Sequence, residues 1–238
     1  MPKHIRIGPT DTVPSQHDYD VLLRPPHLYS RREVLTRPSP VPKRPGVYAW
    51  YFRAVPPDVP VDGCHRHDGL PLLYVGISPR KPPSNGKSLS NQSLAKRIRY
   101  HFAGNAEGST LRLTLGCLLA DQLGIRLTRV GSGTRYTFTN AGEIKLDTWL
   151  QQNALVCWVE HARPWELEEQ LLKTMSLPLN IDGNDHHPYN AKLRSCRTTA
   201  RVAAKAGQCV ANSGGPRRPG RVEAEQPAQA ERAALSRG

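Results

Sequence analysis

The sequence predicts a mixed α/β fold of the α+β class, built from three short central strands and the helices around them. Residues 46–52 and 72–78 are apolar and aromatic runs bounded by Pro and Gly, which is typical of buried strands joined by a hairpin loop. Residues 154–159 form a third apolar run of strand length. Around residues 93–102 and 164–175, apolar residues instead recur at helical spacing. Strands and helices therefore alternate along one chain.

Each of the first two predicted strands carries a tyrosine, Tyr48 in one and Tyr74 in the other. Rigid strands hold a reactive group more precisely than loops do, so these two phenols are candidates for a functional site. The alternative is a pair of satisfied core tyrosines, and the two strands taken alone favour it.

The helix predicted over residues 93–102 places two basic side chains at the edge of the core. Arg97 and His101 are four residues apart and lie along one border of the helix's apolar stripe. From that border they can reach across the sheet towards Tyr48 and Tyr74. The alternative for Arg97 is a surface cation whose stem packs on the core.

The charge of the chain favours a polyanionic partner. Its 238 residues include 33 Lys and Arg against 20 Asp and Glu, a net charge of +13, which suits nucleic acid. A basic tail that only aids solubility is the alternative, but about half of the excess lies before residue 191. The loop over residues 79–91 and the helix after it carry the cations best suited to contact phosphates: Arg80, Lys81, Lys87, Lys96 and Arg99.

The helix that begins near Pro164 brings one carboxylate to its inner face. Its apolar stripe includes Leu167 and Leu171, and Glu168 falls inside that stripe. A carboxylate on a buried face costs several kcal/mol unless a cation, a metal or hydrogen bonds compensate it. Glu168 is therefore either paired with an arginine or a metal ligand. Asn180 follows just past this helix, where Asn is commonly a turn or cap residue.

The composition also indicates how the chain is divided into domain, arm and tail. We expect one domain over residues 44–197, preceded by a partly ordered arm over residues 1–43 and followed by a disordered basic tail over residues 198–238. Residues 103–153 predict an inserted helix, a hairpin and a further helix. Five cysteines without a CxxC pair, no signal-peptide pattern and no apolar run of membrane-spanning length indicate a soluble cytoplasmic protein. The oligomeric state is not predictable.

The order of these residues resembles the GIY-YIG nuclease domain, found in phage homing endonucleases and in the excision-repair nuclease subunit of bacteria. The resemblance runs from about Arg44 to Asn180. The two tripeptides Gly46-Val47-Tyr48 and Tyr74-Val75-Gly76 come first. Arg97 and His101 on one helix, Glu168 on a later helix and Asn180 then follow in the family's order. The chain departs from the family in a longer segment between the tripeptides, an enlarged region after residue 103 and Ile77 where some members carry Lys.

This resemblance implies a small three-stranded sheet flanked by helices and a metal-assisted hydrolysis of DNA phosphodiester bonds. Tyr48 would activate the attacking water, and Tyr74 would position the scissile phosphate. Arg97 would stabilise its developing charge, with His101 near the same phosphate. Glu168 would hold one Mg²⁺ or Mn²⁺, and Gly76 and Asn180 would support the geometry.

We therefore predict a divalent-metal-dependent DNA endonuclease. One alternative is a nucleic-acid-binding protein that has this fold and cleaves nothing. Another is a structural or interaction protein in which the tyrosines and Glu168 are satisfied core residues. The sequence shows no separate recognition motif, so neither the specificity nor the choice between DNA and RNA is predictable.

Overall fold

A computed structural model describes residues 14–82 and 90–211 of the chain. In chain order its elements are α1 (Gln16–Leu23), β1 (Tyr29–Ser30), α2 (Arg31–Leu35), β2 (Gly46–Phe52), β3 (Arg66–His67), β4 (Leu70–Ser78), α3 (Leu94–Ala103), α4 (Thr110–Leu118), α5 (Ala120–Leu123), β5 (Thr128–Val130), β6 (Arg135–Thr137), α6 (Thr139–Asn153), β7 (Ala154–Glu160), α7 (Pro164–Thr174) and α8 (Asn190–Ala206). The mixed α/β class predicted from the sequence is confirmed. Among the described residues, no helix is long and apolar enough to cross a membrane.

The main sheet is antiparallel and has five strands in the order β1-β7-β2-β4-β3. The predicted three-stranded sheet is therefore wrong in number, although β7, β2 and β4 are the three predicted strands and lie side by side at its centre. The two additional strands have only two residues each, which is too short for an alternating pattern to be visible in the sequence. The predicted hairpin, β5 with β6, forms a separate two-stranded sheet.

Strand β2 is buried on both faces, and its side chains alternate between two hydrophobic clusters. Val47, Ala49 and Tyr51 face a cluster with Leu residues of α1 and α7. The residues between them, Tyr48 and Trp50 among them, face a second cluster with α3, α4 and α6. Helices therefore cover both faces of the sheet, and the alternation directs Tyr48 towards α3.

Capping residues bound α3, the helix that carries Arg97, at both ends. The Ser93 side chain accepts a hydrogen bond from the backbone N–H of Lys96, and Gly104 follows the last turn of α3. The inserted region is less regular than predicted, because Leu119 separates α4 from α5 where one continuous helix was expected.

Segments on both sides of the predicted domain also pack on it. The predicted arm contributes α1, whose Leu22 is fully buried, and β1, which pairs with β7. Helix α8 continues through residues 198–206, which the sequence analysis assigned to the tail. These residues are mainly Ala, Arg, Thr and Lys, and several of them favour a helix without forming an apolar pattern. The rest of the predicted tail, from residue 212, lies outside the described residues.

A buried ionic cluster joins the inserted region to α3. Arg112 is fully buried and donates hydrogen bonds to Glu143 at 2.6 Å and to Asp147 at 2.8 Å. Arg31 contacts the other oxygen of Asp147 at 3.0 Å. We call these four residues the paired cluster. Arg112 also donates to the backbone carbonyl of His101, so the cluster fixes the end of α3.

Candidate active site

Side chains from four separate elements meet in one cavity of about 450 Å³ at the edge of the main sheet. Tyr48 comes from β2, Tyr74 from β4, Arg97 from α3 and Glu168 from α7. The sequence singled out all four, and the fold brings them together. The remaining lining residues are Gly76, Ile77, Arg80, Lys81, Thr110, Thr114, Trp165, Glu169, Leu172, Leu179, Asn180, Ile181, Asp182, Gly183 and Arg197.

Gly76 is required because the Tyr48 ring lies directly against it. The two residues are paired across β2 and β4. A Cβ atom added at Gly76 would lie 2.5 Å from the Tyr48 hydroxyl oxygen and 2.7 Å from its Cζ. Any larger residue would therefore displace the Tyr48 ring, so the glycine fixes where that phenol enters the cavity.

His101 lies behind Tyr48 and does not line the cavity. Its side chain is fully buried, with Nε2 at 2.8 Å from the Tyr48 hydroxyl and Nδ1 at 2.7 Å from the Ser109 hydroxyl. Burial, together with the charges of Arg97 and Arg112, lowers the pKa of His101 well below its ordinary value. His101 is therefore a neutral partner of the Tyr48 phenol, whereas the sequence analysis expected it beside the phosphate.

The two cavity phenols are also strongly desolvated. Burial raises the pKa of Tyr48 far above its usual value, Tyr74 adds to the shift and Arg97 opposes it. Burial likewise raises the pKa of Tyr74, whose hydroxyl is 3.5 Å from the Thr110 hydroxyl. Both side chains are therefore protonated phenols at neutral pH.

Arg97 is a half-buried cation beside both phenols. Burial lowers its pKa, but the interactions with Tyr48, Tyr74 and Tyr100 outweigh that effect and raise it overall. Its Nη1 donates to the Gly108 carbonyl at 2.9 Å. No ion pair joins Arg97 to a carboxylate within the described part of the chain, so its charge is available to an anion in the cavity.

Glu168 is a half-buried carboxylate that has no hydrogen-bond or ion-pair partner among residues 14–82 and 90–211. Burial raises its pKa to about 7, while Arg80 opposes the shift and Asp182 adds to it. The alternative that Glu168 is neutralised by a paired arginine therefore fails within these residues. Its neighbours on α7 are paired: Glu166 with Arg163, and Glu169 with Lys173.

The donor set at Glu168 fits a magnesium-like ion. No three His, Cys, Asp or Glu side chains of the described regions gather into a metal-binding group. A metal ion at Glu168 would therefore be held by few protein carboxylates, although Asp182 also lines the cavity, and would complete its shell with water or phosphate oxygens. Mg²⁺ accepts such a shell because it keeps much of its hydration.

Asn180 holds the strand that carries Tyr74 and Gly76. Its Oδ1 accepts from the backbone N–H of Val75 at 2.9 Å, and its Nδ2 donates to the Val75 carbonyl at 2.8 Å. The backbone N–H of Leu179 donates to the Leu73 carbonyl beside it. The segment after α7 thus pairs with β4 as a short strand would, through an amide side chain.

Of the predicted phosphate-binding cations, some line the cavity and others do not. Arg80 and Lys81 line the cavity. Lys96 and Arg99 do not, and the Lys96 ammonium instead contacts the Asn91 carbonyl at 3.2 Å. Lys87 lies outside the described residues.

Several lining residues were not predicted from the sequence, above all Thr110, Thr114 and Arg197. The two threonines belong to the inserted helix, in which no functional residue was expected. Arg197 lies one residue before the predicted tail. The positions of these three residues within α4 and α8 do not indicate a functional site in the sequence. Only the packing of the two helices brings the three side chains to the cavity.

The match to a family model decides the classification. The model of the GIY-YIG catalytic domain matches residues 46–199, which is more than half of the chain. The chain belongs to the GIY-YIG family. No curated protein and no solved structure shows significant similarity to it.

Membership in the GIY-YIG family indicates a nuclease, and therefore a nucleic-acid substrate. Members are generally endonucleases that depend on a divalent metal. The family model also covers the inserted region and the first half of α8, so both belong to the matched catalytic domain.

Proposed function

We propose that this GIY-YIG protein is a divalent-metal-dependent endonuclease that hydrolyses DNA phosphodiester bonds. The observation that carries the proposal is the unpaired Glu168 carboxylate in the same cavity as Arg97, Tyr48 and Tyr74. A purely structural protein would gain nothing from a desolvated carboxylate without a partner. Phosphodiester hydrolysis is accelerated by a positioned water, by a cation on the non-bridging oxygens and by a metal ion, which a carboxylate can hold.

In this proposal Tyr48 and His101 remove the proton from the attacking water. With the His101 Nδ1–H donating to Ser109, Nε2 is an acceptor for the Tyr48 phenol proton. As the water attacks phosphorus, its proton passes to the Tyr48 oxygen while the phenol proton passes to His101 Nε2, and the bond from phosphorus to the leaving oxygen breaks. The leaving oxygen takes a proton from solvent, and His101, whose pKa is lowered, returns its proton through Tyr48 to solvent. No free phenolate forms, which matters because the Tyr48 pKa is raised.

The phosphate is held by Arg97 and Tyr74. The Arg97 guanidinium donates to a non-bridging oxygen and stabilises the charge that develops as the phosphorus–oxygen bond to the leaving group breaks. The Tyr74 hydroxyl donates a second hydrogen bond. Both groups are already desolvated, so their interaction with the phosphate is stronger than in water.

Glu168 is the residue that would hold the metal ion. A divalent ion bound there supplies Lewis-acid stabilisation of phosphate oxygens. The Glu168 carboxylate would hold such an ion in the cavity, and Asn180 holds the β4 backbone at Val75, next to Tyr74.

The test is nicking of supercoiled plasmid DNA with Mg²⁺, with Mn²⁺ and with EDTA. The wild type should nick the plasmid only with metal, and Glu168→Ala should abolish nicking. Glu166→Ala is the matched control, since Glu166 lies on the same helix, pairs with Arg163 and does not line the cavity. It should leave nicking unchanged.

Intact plasmid with every metal would contradict the proposal. If the protein still retarded the DNA, the alternative of a binding protein without cleavage would take its place. Equal nicking by Glu168→Ala and the wild type would remove the metal role of Glu168.

A further inference from the structure

Helix α8 adds a cation to the cavity that the proposed chemistry does not use. Arg197 lines the cavity from α8, beside Thr110 and Thr114 on α4, against which α8 packs. The Thr110 hydroxyl lies 3.5 Å from the Tyr74 hydroxyl, so this part of the cavity wall adjoins Tyr74. The Tyr74 phenol interacts electrostatically with both Arg97 and Arg197, and all three side chains line the same cavity.

Three of the other four cations of α8 have partners, whereas Arg197, unlike them, is half-buried and has none among the described residues. Lys192 contacts Asp58 at 3.3 Å, and Arg194 contacts Asp185 at 2.7 Å. The Arg201 guanidinium lies 5.6 Å from the centre of the Tyr136 ring. For Arg197, neither a hydrogen bond nor an ion pair to its side chain is found within the described regions.

Arg197 is also half-buried, which makes an unpaired charge expensive. Burial lowers its pKa, Arg201 adds to the shift, and Cys117, Asp182 and Tyr74 oppose it. Asp182 attracts it but does not come within ion-pair distance. An anion bound in the cavity would offset this cost.

We propose that Arg197 binds a second phosphate of the nucleic-acid backbone, next to the phosphate held by Arg97 and Tyr74. This inference rests on the proposed nuclease function, because it takes the cavity as the place where the backbone enters. A guanidinium matches two phosphate oxygens in a fork, which suits a residue that positions a backbone without reading its sequence. The inserted helix α4 and helix α8 then determine which way the strand leaves the cavity.

The test measures binding separately from cleavage. Affinity for a short fluorescein-labelled DNA duplex is measured by anisotropy in EDTA over a series of salt concentrations, for the wild type, Arg197→Gln and Arg197→Lys. Arg197→Gln keeps most of the packed stem. We expect about tenfold weaker binding and a salt dependence of log K reduced by about 0.9, the amount for one phosphate contact on duplex DNA. Arg197→Lys should keep the wild-type salt dependence.

Lys205→Ala is the matched control, since Lys205 is exposed on the same helix and does not line the cavity. It should leave affinity and salt dependence close to the wild type. An equal effect of Lys205→Ala would overturn the inference, because the loss would then reflect net charge and not a site. The same measurements are made with an RNA duplex of the same sequence, because DNA and RNA both present backbone phosphates to Arg197.

The outcomes separate the two proposals. Unchanged affinity and salt dependence in Arg197→Gln would overturn the second phosphate site, whether or not the wild type nicks plasmid. The expected binding loss in a protein that nicks nothing would support the site and overturn the endonuclease. A wild type that binds neither duplex and nicks no plasmid would overturn both. Thermal unfolding of each variant shows that the compared proteins are folded.

Discussion

The cavity and the paired cluster both contain desolvated charges, but they treat them in opposite ways. In the paired cluster, Arg112 is fully buried and its guanidinium contacts Glu143, Asp147 and backbone carbonyls. In the cavity, the Glu168 carboxylate has no partner within the described residues, and Arg97 contacts one backbone carbonyl and the Tyr48 phenol but no carboxylate of these residues. The first arrangement holds the fold together, and the second leaves its charges for a ligand.

The two regions are also connected. Arg112 donates from its side chain to the His101 carbonyl, and its backbone N–H donates to the Ser109 hydroxyl that contacts His101. The paired cluster therefore supports the histidine that lies behind Tyr48. This connection means that changes to each region should be measured by both stability and cleavage.

Breaking the paired cluster should have the largest effect on stability. Arg112→Ala leaves the Glu143 carboxylate buried without its cation, so we expect a loss of about 3–5 kcal/mol in the free energy of unfolding. Urea denaturation measures it. The double variant Arg112→Met, Glu143→Leu removes both charges and should recover part of the loss. Recovery is incomplete because Glu143→Leu also leaves the buried backbone N–H groups of Ala106 and Phe138 without their acceptor. A single variant as stable as the wild type would contradict the assignment of this cluster as structural.

A substitution that changes only the shape of the cavity, without removing a charge, should also lower the cleavage rate. Gly76→Ala pushes the Tyr48 ring aside, and a displacement of about 1 Å at a reacting group lowers the rate by about 100-fold. The initial rate of plasmid nicking measures it. Gly207→Ala is the control, because an added Cβ there meets only ordinary contacts at 3.5 Å and beyond. Similar nicking rates for both variants would show that the position of Tyr48 is not critical.

Removing the Asn180 side chain should lower both the stability and the nicking rate moderately. Asn180→Ala leaves the buried N–H and C=O of Val75 without their side-chain partner, which costs about 1–3 kcal/mol of stability. Nicking by the protein that remains folded should also fall, since Tyr74 and Gly76 flank Val75. Urea denaturation and nicking rates on the same preparation check this. Full activity at reduced stability would show that Asn180 supports the fold only.

The smallest effect concerns the pH dependence of stability. His101 is neutral when folded because its pKa is lowered, but it protonates near its ordinary value of 6.5 when unfolded. The unfolded state therefore binds more protons as the pH falls below 6.5, and the protein loses stability there, by up to about 1.4 kcal/mol per pH unit. His101→Gln should reduce this loss between pH 7 and pH 5. Parallel stability curves for the two proteins would contradict a depressed His101 pKa.

The elements with strong local patterns were predictable from the sequence. The three central strands, α3 and α7 follow from apolar periodicity, and the wheel of α7 alone separated Glu168 from Glu166 and Glu169. What failed was set by packing between distant segments. β1 and β3 are too short to carry a pattern, and His101 was placed at the border of a stripe although its contact with Ser109 draws it behind Tyr48. The location of Arg197 in the cavity was not predictable, because nothing in the sequence indicates that α8 packs against α4.

The central claim, that the unpaired charges of the cavity serve a reaction, is tested most directly by Arg97→Ala. The measurement is its single-turnover cleavage rate together with its free energy of unfolding, against Lys205→Ala as an exposed cation outside the cavity. We predict a rate about 100- to 1,000-fold lower for Arg97→Ala, stability within about 1 kcal/mol of the wild type, and no change for Lys205→Ala. An undiminished rate for Arg97→Ala, or a loss fully explained by unfolding, would contradict the account.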